Sequence, residues 1–497
     1  MVLTIMSLKK YIFMSMAGLI AGQWLNAQPL TLHEAIATAR TESVAAKEAK
    51  FGFVSSYWAY RSYRASLLPS LSLYGDIGNY NRSLALLQDY ETGDVKYSLT
   101  NNMQNSLGLA LSQNIALTGG TLSVYSDLAR IDQFGERGNV TWYSQPITAR
   151  YSQPLFSYNK FKWNKLISPK EYEKSKRVFL ESMEKLSGDV VAAYYALALA
   201  EIKLRTAAES YANTGRMLDI ARQRLTLGSV RRDECLQLEL RMINDSIAIG
   251  TNSVAVREAR MAFNSLMGLG EKAEPDPALD DYLPDVVMDY EFVLNKSLEN
   301  SSFDIDNEIT ILNAQSAVAQ AKADRGITML LNARFGLSKT DRELRNAYIG
   351  PLDQEVVGLS FSVPIFDWGT GRGRVQKARA AEEVVRAQVA QSENDFRRQL
   401  FSAVGQFNNQ RNQCYASRKA RDISSERYAL MLESFSRGEA SVTDLNNAQN
   451  EYDAASTQYV TDLGNFWQYY YTLRQLTLYD FIAEHDIDVN PEELIDK

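Results

Sequence analysis

Ser-Gln-Pro-Leu-Phe at Ser152 to Phe156 and Ser-Val-Pro-Ile-Phe at Ser362 to Phe366 are one pattern written twice. Each lies the same distance ahead of a glycine: Pro154 precedes Gly228 by 74 residues, and Pro364 precedes Gly438 by 74. Both anchors recur at an offset of 210, so the chain of 497 residues reads as two copies of one plan. One long object in two halves fits that pattern better than a string of globular domains.

Outward from these anchors the hydrophobic period changes from helix to strand and back. Thr31 with Glu34 makes a capping box, and the helical pattern it opens runs to about Ser66, where Pro69 stops it. Leu71 and Leu73 then alternate as strands do, as do Leu107, Leu109 and Leu111, Leu122 and Val124, and Ile147, Ala149 and Tyr151. From Asn164 to Leu227, Leu180, Met183, Val190, Tyr194, Leu197 and Leu204 keep coiled-coil spacing, a helix of about 95 Å. Gly228 reverses it into a helix ending at Gly268, and Pro275, Pro277 and Pro284 mark an irregular connector. The second half repeats this: a helix over Tyr290 to Asp324, strands near Leu331 to Leu337 and Val357 to Ile365, a long helix over Gly373 to Ser436, a turn at Gly438, and a helix to Tyr479.

The expected layout is a first repeat at 28–268 with an extended strand region near 68–156, a connector at 269–289, a second repeat at 290–479, and an acidic, solvated tail at 480–497. Ala35 to Pro154 spans 119 residues where the counterpart, Leu294 to Pro364, spans 70. The first strand region therefore carries an insertion of 49, which either adds two strands to the sheet, making six per chain, or forms an extended extracellular hairpin outside it, the reading preferred here.

Residues 1–27 read as a secretory signal: Lys9 and Lys10, an apolar run from Tyr11 to Ala21, and cleavage after Ala27. Beyond that run no apolar block reaches the ~18 residues a spanning helix needs, so strands must do any crossing of a membrane. Cys235 and Cys414 lack metal spacing and are expected on buried helix faces, with a bridge between them left open. His33 and His485 form no ligand set. Gly369-Thr-Gly-Arg-Gly lacks the lysine of a phosphate loop and reads as a strand-to-helix junction. The sequence thus offers no enzyme site, cofactor or metal. A net charge of −7 without a basic stripe argues against nucleic acid.

A strand pair alone in lipid leaves its edges unpaired, so spanning strands must close into a barrel. Two pairs give four strands per chain, fewer than the eight of the smallest usual barrel, so several chains must pool theirs. Trp142, Tyr143, Tyr151, Phe156, Tyr158, Phe161 and Trp163 crowd the exit of the first strand region, and Phe366 and Trp368 that of the second, as interfacial girdles do.

The opening Leu-Thr-Leu-x-Glu-Ala segment at Leu30, the doubled Ser-x-Pro-[Leu/Ile]-Phe segments and the doubled glycine turns together resemble the TolC-like outer-membrane efflux proteins. The resemblance covers nearly the whole mature chain. It implies a mixed α and β fold: a homotrimer with a long periplasmic α-helical coiled-coil barrel continuous with a 12-stranded transmembrane β-barrel in outer-membrane lipid. It implies the passive exit duct of a tripartite efflux pump, docked to a periplasmic adaptor and an inner-membrane transporter and conducting small molecules outward. The alternatives are a type I protein-secretion exit duct and an exported coiled-coil scaffold or adaptor that never enters a membrane.

The resemblance also assigns residues. The turns Leu227, Gly228, Ser229 and Arg437, Gly438, Glu439 would meet the adaptor. Asp444, six after Gly438, matches the family's acidic periplasmic gate; its second acidic position falls on Asn447, and the arginine two after the glycine is replaced by Ala440. Asp233 and Glu234 are the first-half counterparts, with Arg231 and Arg232 as alternative latches. Three converging Asp444 carboxylates would favour cations and raise one another's pKa. Alone, Asp444 would be an acid favoured by a helix N-terminus.

Overall fold

A computed structural model describes residues 29–88, 93, 95–135, 138–228, 230–488 and 495. The signal segment at 1–27 lies outside them. The chain forms two compact units. One takes the chain up to Val54, Ser175–Phe303 and the chain from Glu393 onward; the other takes Ser55–Lys174 and Asp304–Ser392.

The first unit is helical, and its capping follows the sequence closely at the start. The side chains of Thr31 and Glu34 cap helix α1 (Leu32–Glu42) reciprocally, as the capping box requires. The expected single helix to Ser66 is instead two, because Ser43 leaves helical geometry (φ −65°, ψ 154°) before α2 (Val44–Ala65). Ser43 is fully buried; its N–H donates to Ala39 O and its Oγ accepts from Ala46 N–H, so one serine ends a helix and starts the next. A second break falls at Ser301 and Ser302, between α5 (Tyr290–Asn300) and α6 (Phe303–Arg325), where one helix to Asp324 was expected: Ser301 N–H donates to Ser297 O and its Oγ accepts from Phe303 N–H at 3.4 Å.

The coiled-coil spacing becomes α3 (Lys160–Thr226), which α4 (Arg232–Met267) follows; the second half supplies α7 (Thr370–Arg437) and α8 (Val442–Thr477). Val190, Tyr194 and Leu197 of α3, on the expected seam, are buried with Phe263 of α4 and Leu463 of α8. Cys414 is buried and free, as is Cys235, which removes the bridge left open by the sequence. Strand β1 (Pro29–Leu30) pairs in parallel with β6 (Asp276–Pro277). The start of the acidic tail is docked rather than solvated. Strand β9 (Tyr479–Asp480) pairs with β10 (His485–Asp486), Asp480 accepts from Tyr470 Oη at 2.6 Å and Arg474 Nη1 at 2.6 Å, and Asp486 pairs with Lys296 at 2.9 Å. Arg474 also reaches Glu184 Oε2 at 2.9 Å, and Arg40 pairs with the same carboxylate, which is 1% exposed.

The second unit holds one sheet of six antiparallel strands in the order β2 (Ser70–Gln88), β3 (Val95–Ile115), β4 (Gly120–Gln133), β5 (Asn139–Leu155), β7 (Thr328–Asp341) and β8 (Leu352–Ser362). The inserted residues do not form a separate hairpin. β3 pairs with β4 along an unbroken register from Asn102↔Gln133 to Ile115↔Gly120, so four strands come from the first half and two from the second. Only Val95–Asn101 of β3, paired with β2 alone, extends past β4. The alternation of Leu107, Leu109 and Leu111 matches that of Leu122 and Val124, which is why β3 fits the edge of β4.

The register sorts the side chains into two faces. Leu71 and Leu73, Leu107 to Leu111, Leu122, Val124 and Leu128, Ala149 and Tyr151, Leu331 and Phe335, and Val357 to Phe361 share one. Ser70, Ser72, Tyr74, Ser112, Ser123, Asp127, Arg150, Ser152, Asn332, Arg334 and Ser360 share the other. Along the inner strand β3 the apolar face is the more open one, with Leu107 58% and Leu109 49% exposed where Gly108 is buried and Ala110 and Ser112 are half-buried; on the edge strands β2 and β8 both faces are open. A sheet in water turns its apolar face inward.

Candidate functional site

The two glycine turns join the longest helices. α3 runs out through Leu227 to Gly228, which takes the left-handed φ of 74° that the reversal requires. The third residue expected there, Ser229, lies outside the described residues. The other turn is a complete Schellman closure: Gly438 (φ 86°) donates to Phe435 O at 3.0 Å, and Glu439 N–H donates to Ser434 O at 2.9 Å. Leu227 is 81% exposed, and Arg437 is held by Glu433 and by Glu439 at 3.0 Å.

Arg224, in the last turn of α3, draws the two turns together. Its Nη1 donates to Phe435 O at 3.1 Å and its Nη2 to Ser436 O at 2.8 Å, with the guanidinium 5.8 Å from the Phe435 ring centroid. One first-half arginine thus supplies a donor to Ser436 O at the end of the second half's long helix and a second donor to Phe435 O, which Gly438 N–H already reaches. Beneath it, Met217, Leu218, Ala221, Cys235, Leu238, Phe435, Val442 and Leu445 form an apolar plug.

The acidic residues lie just past the turns. Arg231 approaches Asp233 at 3.3 Å and Glu234 at 3.5 Å in the first turn of α4. Asp444 is the N3 residue of a second capping box: its carboxylate accepts from Ser441 Oγ at 2.7 Å, while Ser441 Oγ accepts from Asp444 N–H at 3.2 Å. These hydrogen bonds to Ser441 hold its carboxyl below the usual range within a single chain. Asp444 and Asn447 are both exposed and three residues apart, hence on one helix face. Among the described residues no hydrogen bond or ion pair joins Asp233 or Glu234 to Asp444.

Further along, a network the sequence did not reveal ties α3, α4 and α8. Arg241 Nε donates to Asp245 Oδ1 at 3.1 Å and its Nη1 to Asn450 Oδ1 at 2.7 Å; its Nη2 lies 3.9 Å from Asp453 Oδ2. Thr214 Oγ1 donates to Asp245 Oδ2 at 2.9 Å. Burial pushes the Asp453 carboxyl up to about 6, with Asp245 and Glu209 adding to the rise and Arg241 opposing it. Arg224 and Arg241 went unrecognised because their partners lie about 210 residues away; the one hint was that 210 residues beyond Arg224 stands Ser434, a charge in one half only.

Among the described residues neither turn aligns a nucleophile with a base. What the arrangement offers is two turns tied by Arg224, with Leu227 exposed beside one and Arg437 and Glu439 exposed at the other, and exposed carboxylates just past each of them. Residues 297–477 match the family model described as outer membrane efflux protein. No curated protein matches the sequence. Among solved structures the fold is similar to that of a membrane protein from Pseudomonas aeruginosa, at 15% identity over 93% of this chain and 92% of that one, TM-score 0.65. It is similar to the outer membrane protein VceC from Vibrio cholerae, at 12% identity over 92% and 97%, TM-score 0.62. It is similar also to the Campylobacter jejuni CmeC outer membrane channel, at 14% identity over 94% and 88%, TM-score 0.66.

Proposed function

From a chain that carries an outer membrane efflux protein domain at residues 297–477 and the fold of the TolC-like outer-membrane channels, we infer an exit duct for efflux across the bacterial outer membrane. The observation that carries this reading is the sheet that carries an exposed apolar face. Between Tyr151 and Trp142, both on that face, β5 advances nine residues, about 30 Å of strand, which when tilted matches an apolar band of about 25 Å. No helix among the described residues is long and apolar enough to cross a membrane, so the sheet is the element left to meet lipid. A scaffold that never enters a membrane gives no reason for such a face.

The duct works as a homotrimer, since one sheet cannot close on itself without leaving a pore too narrow for solutes. The paired turns at Leu227–Gly228 and Arg437–Glu439 dock a periplasmic adaptor, which couples the duct to an inner-membrane transporter. Asp444 and Asn447 line the periplasmic entrance, with Asp233 and Glu234 beside them, and three Asp444 carboxylates there favour cations over anions. The chain performs no chemistry; small molecules pass down their own gradient or are pushed by the transporter.

Planar-bilayer conductance of the purified protein tests this. Wild type should open in small, cation-preferring steps that grow in Asp444→Ala. Well-folded protein that never conducts would overturn the duct, and steps of unchanged size in the variant would overturn the gate alone.

A further inference from the structure

We propose that the free edge of β2 pairs with the free edge of β8 in a second copy of this chain, so that three copies close a barrel of eighteen strands. The inference rests on the membrane-channel reading above and goes beyond it, because a duct pooling four strands per chain would have twelve.

Three observations carry it. First, β4 cannot be the closing edge. Its outer side is occupied by β3 along its whole length, from Gly120 to Gln133, and β3 in turn is paired to β2 from Ser70 to Gln88 with one irregularity, between Asp76 and Asn79. Closing through β4 would mean unzipping every rung of that register in a medium that supplies no replacement hydrogen bonds. Second, the added strands carry the same two faces as the rest. Leu71, Leu73, Leu107, Leu109 and Leu111 extend the exposed apolar face without a break, and Ser70, Ser72, Ser106 and Ser112 extend the polar one. A hairpin lying outside the barrel would have no reason to keep a polar face aligned with the lumen.

Third, a side-chain tie locks β2 to β4 across β3. Tyr74, Gly108 and Asp127 stand on one rung, and the Tyr74 hydroxyl donates to Asp127 Oδ1 over the glycine. A Cβ at residue 108 would stand 2.1 Å from Asp127 Oδ1 and 2.6 Å from Tyr74 Cζ, so this tie exists only because position 108 is glycine. Ser112 and Ser123 hydroxyls add a second link at 2.9 Å between β3 and β4.

Six strands per chain is an even number, so β2 and β8 run in opposite directions and a β2-to-β8 junction between copies is antiparallel, like every junction within the sheet. With strands about 4.8 Å apart and tilted by about 40°, eighteen strands enclose a ring about 36 Å across, against about 24 Å for twelve. Such a barrel leaves an open aqueous lumen, and size selection falls to the helical end of the duct.

Disulfide trapping in the full-length protein, in its native membrane, tests the junction; Cys235 and Cys414 are buried and can stay. Ser72→Cys is combined in turn with cysteine at Leu352, Gln354, Val356, Gly358, Ser360 and Ser362, the polar-face positions of β8, and Ser123→Cys is combined with the same set. Linked dimers and trimers from a Ser72 pairing, with none from Ser123, are expected. Trimers linked only through Ser123, or trimers with neither link, overturn the eighteen-stranded junction while leaving the channel standing; absence of any membrane-embedded oligomer overturns both. Averaged electron micrographs of the unmodified trimer give a second readout that needs no substitution: a strand ring of about 36 Å is expected, and one of about 24 Å overturns the proposal.

Discussion

Replacing Arg224 by alanine removes two charge-assisted hydrogen bonds to the last carbonyls of α7, to Phe435 O and Ser436 O, and a guanidinium beside the Phe435 ring. Each such bond can be worth about 1.5–3 kcal/mol when dry. The site is half exposed, so the freed carbonyls regain water and the net loss is about 2 kcal/mol in total. That loss should be local, because α7 and α8 are held elsewhere by their buried aromatic contacts. Hydrogen exchange at the amides of Gly438 and Glu439, which close the turn onto Phe435 O and Ser434 O, reads it directly. At about 1.4 kcal/mol per decade, exchange there should quicken by roughly 30-fold, while α1 amides stay unchanged. Arg224→Lys keeps the charge but loses the two-pronged reach, and should fall between the two. Equal rates at Gly438 and Glu439 in wild type and Arg224→Ala would refute the reasoning that Arg224 ties the turns.

Other outcomes follow from the same geometry. Asp453 has its carboxyl raised to about 6 from an unfolded value near 4, so its stabilising contribution is complete below pH 4 and is lost as pH rises through 6; Asp453→Asn should therefore stabilise the helical unit by about 2 kcal/mol at pH 7.5 and hardly at all at about pH 3, read by thermal unfolding followed by circular dichroism. Glu184→Ala strands two arginines, Arg40 and Arg474, around a buried site and should cost about 3–5 kcal/mol, seen as a drop in urea midpoint, with Glu184→Gln losing less. Gly108→Val forces Tyr74 and Asp127 apart and should cost about 1–3 kcal/mol of sheet stability, lowering the temperature at which the oligomer dissociates on a gel.

The long helices were legible because their signal is summed over many turns. The expected span from Asn164 to Leu227 became Lys160–Thr226, and Gly373 to Ser436 became Thr370–Arg437. The breaks at Ser43 and Ser301 were not legible, since a serine whose N–H closes one helix and whose Oγ accepts from an amide of the next interrupts the helix without disturbing the apolar period around it. The strands were visible as alternation, but alternation says nothing about which edge a strand joins; the inserted pair looked like a separate hairpin until the register put Leu107 to Leu111 against Val124 and Leu128. At the turns, glycine announced the reversal at Gly228 and Gly438. Asp444 announced only an acid near a helix start, and its partner Ser441, three residues earlier, makes the capping box that the count from the glycine alone did not bring out. The arginines that tie helices together have partners far away in the chain, beyond the reach of any local pattern.

Arg224 has a consequence for symmetry. Two like halves in each of three chains would make a ring of six equivalent hairpins, each free to move as its neighbours do. The tie runs one way only: Arg224 reaches the end of α7, whereas Ser434, its counterpart, has no charge to return. In the assembly proposed above the hairpins therefore alternate between those that hold and those that are held. An opening motion obeys threefold rather than sixfold order, and a change at residue 224 in the first half is felt at the mouth of the second.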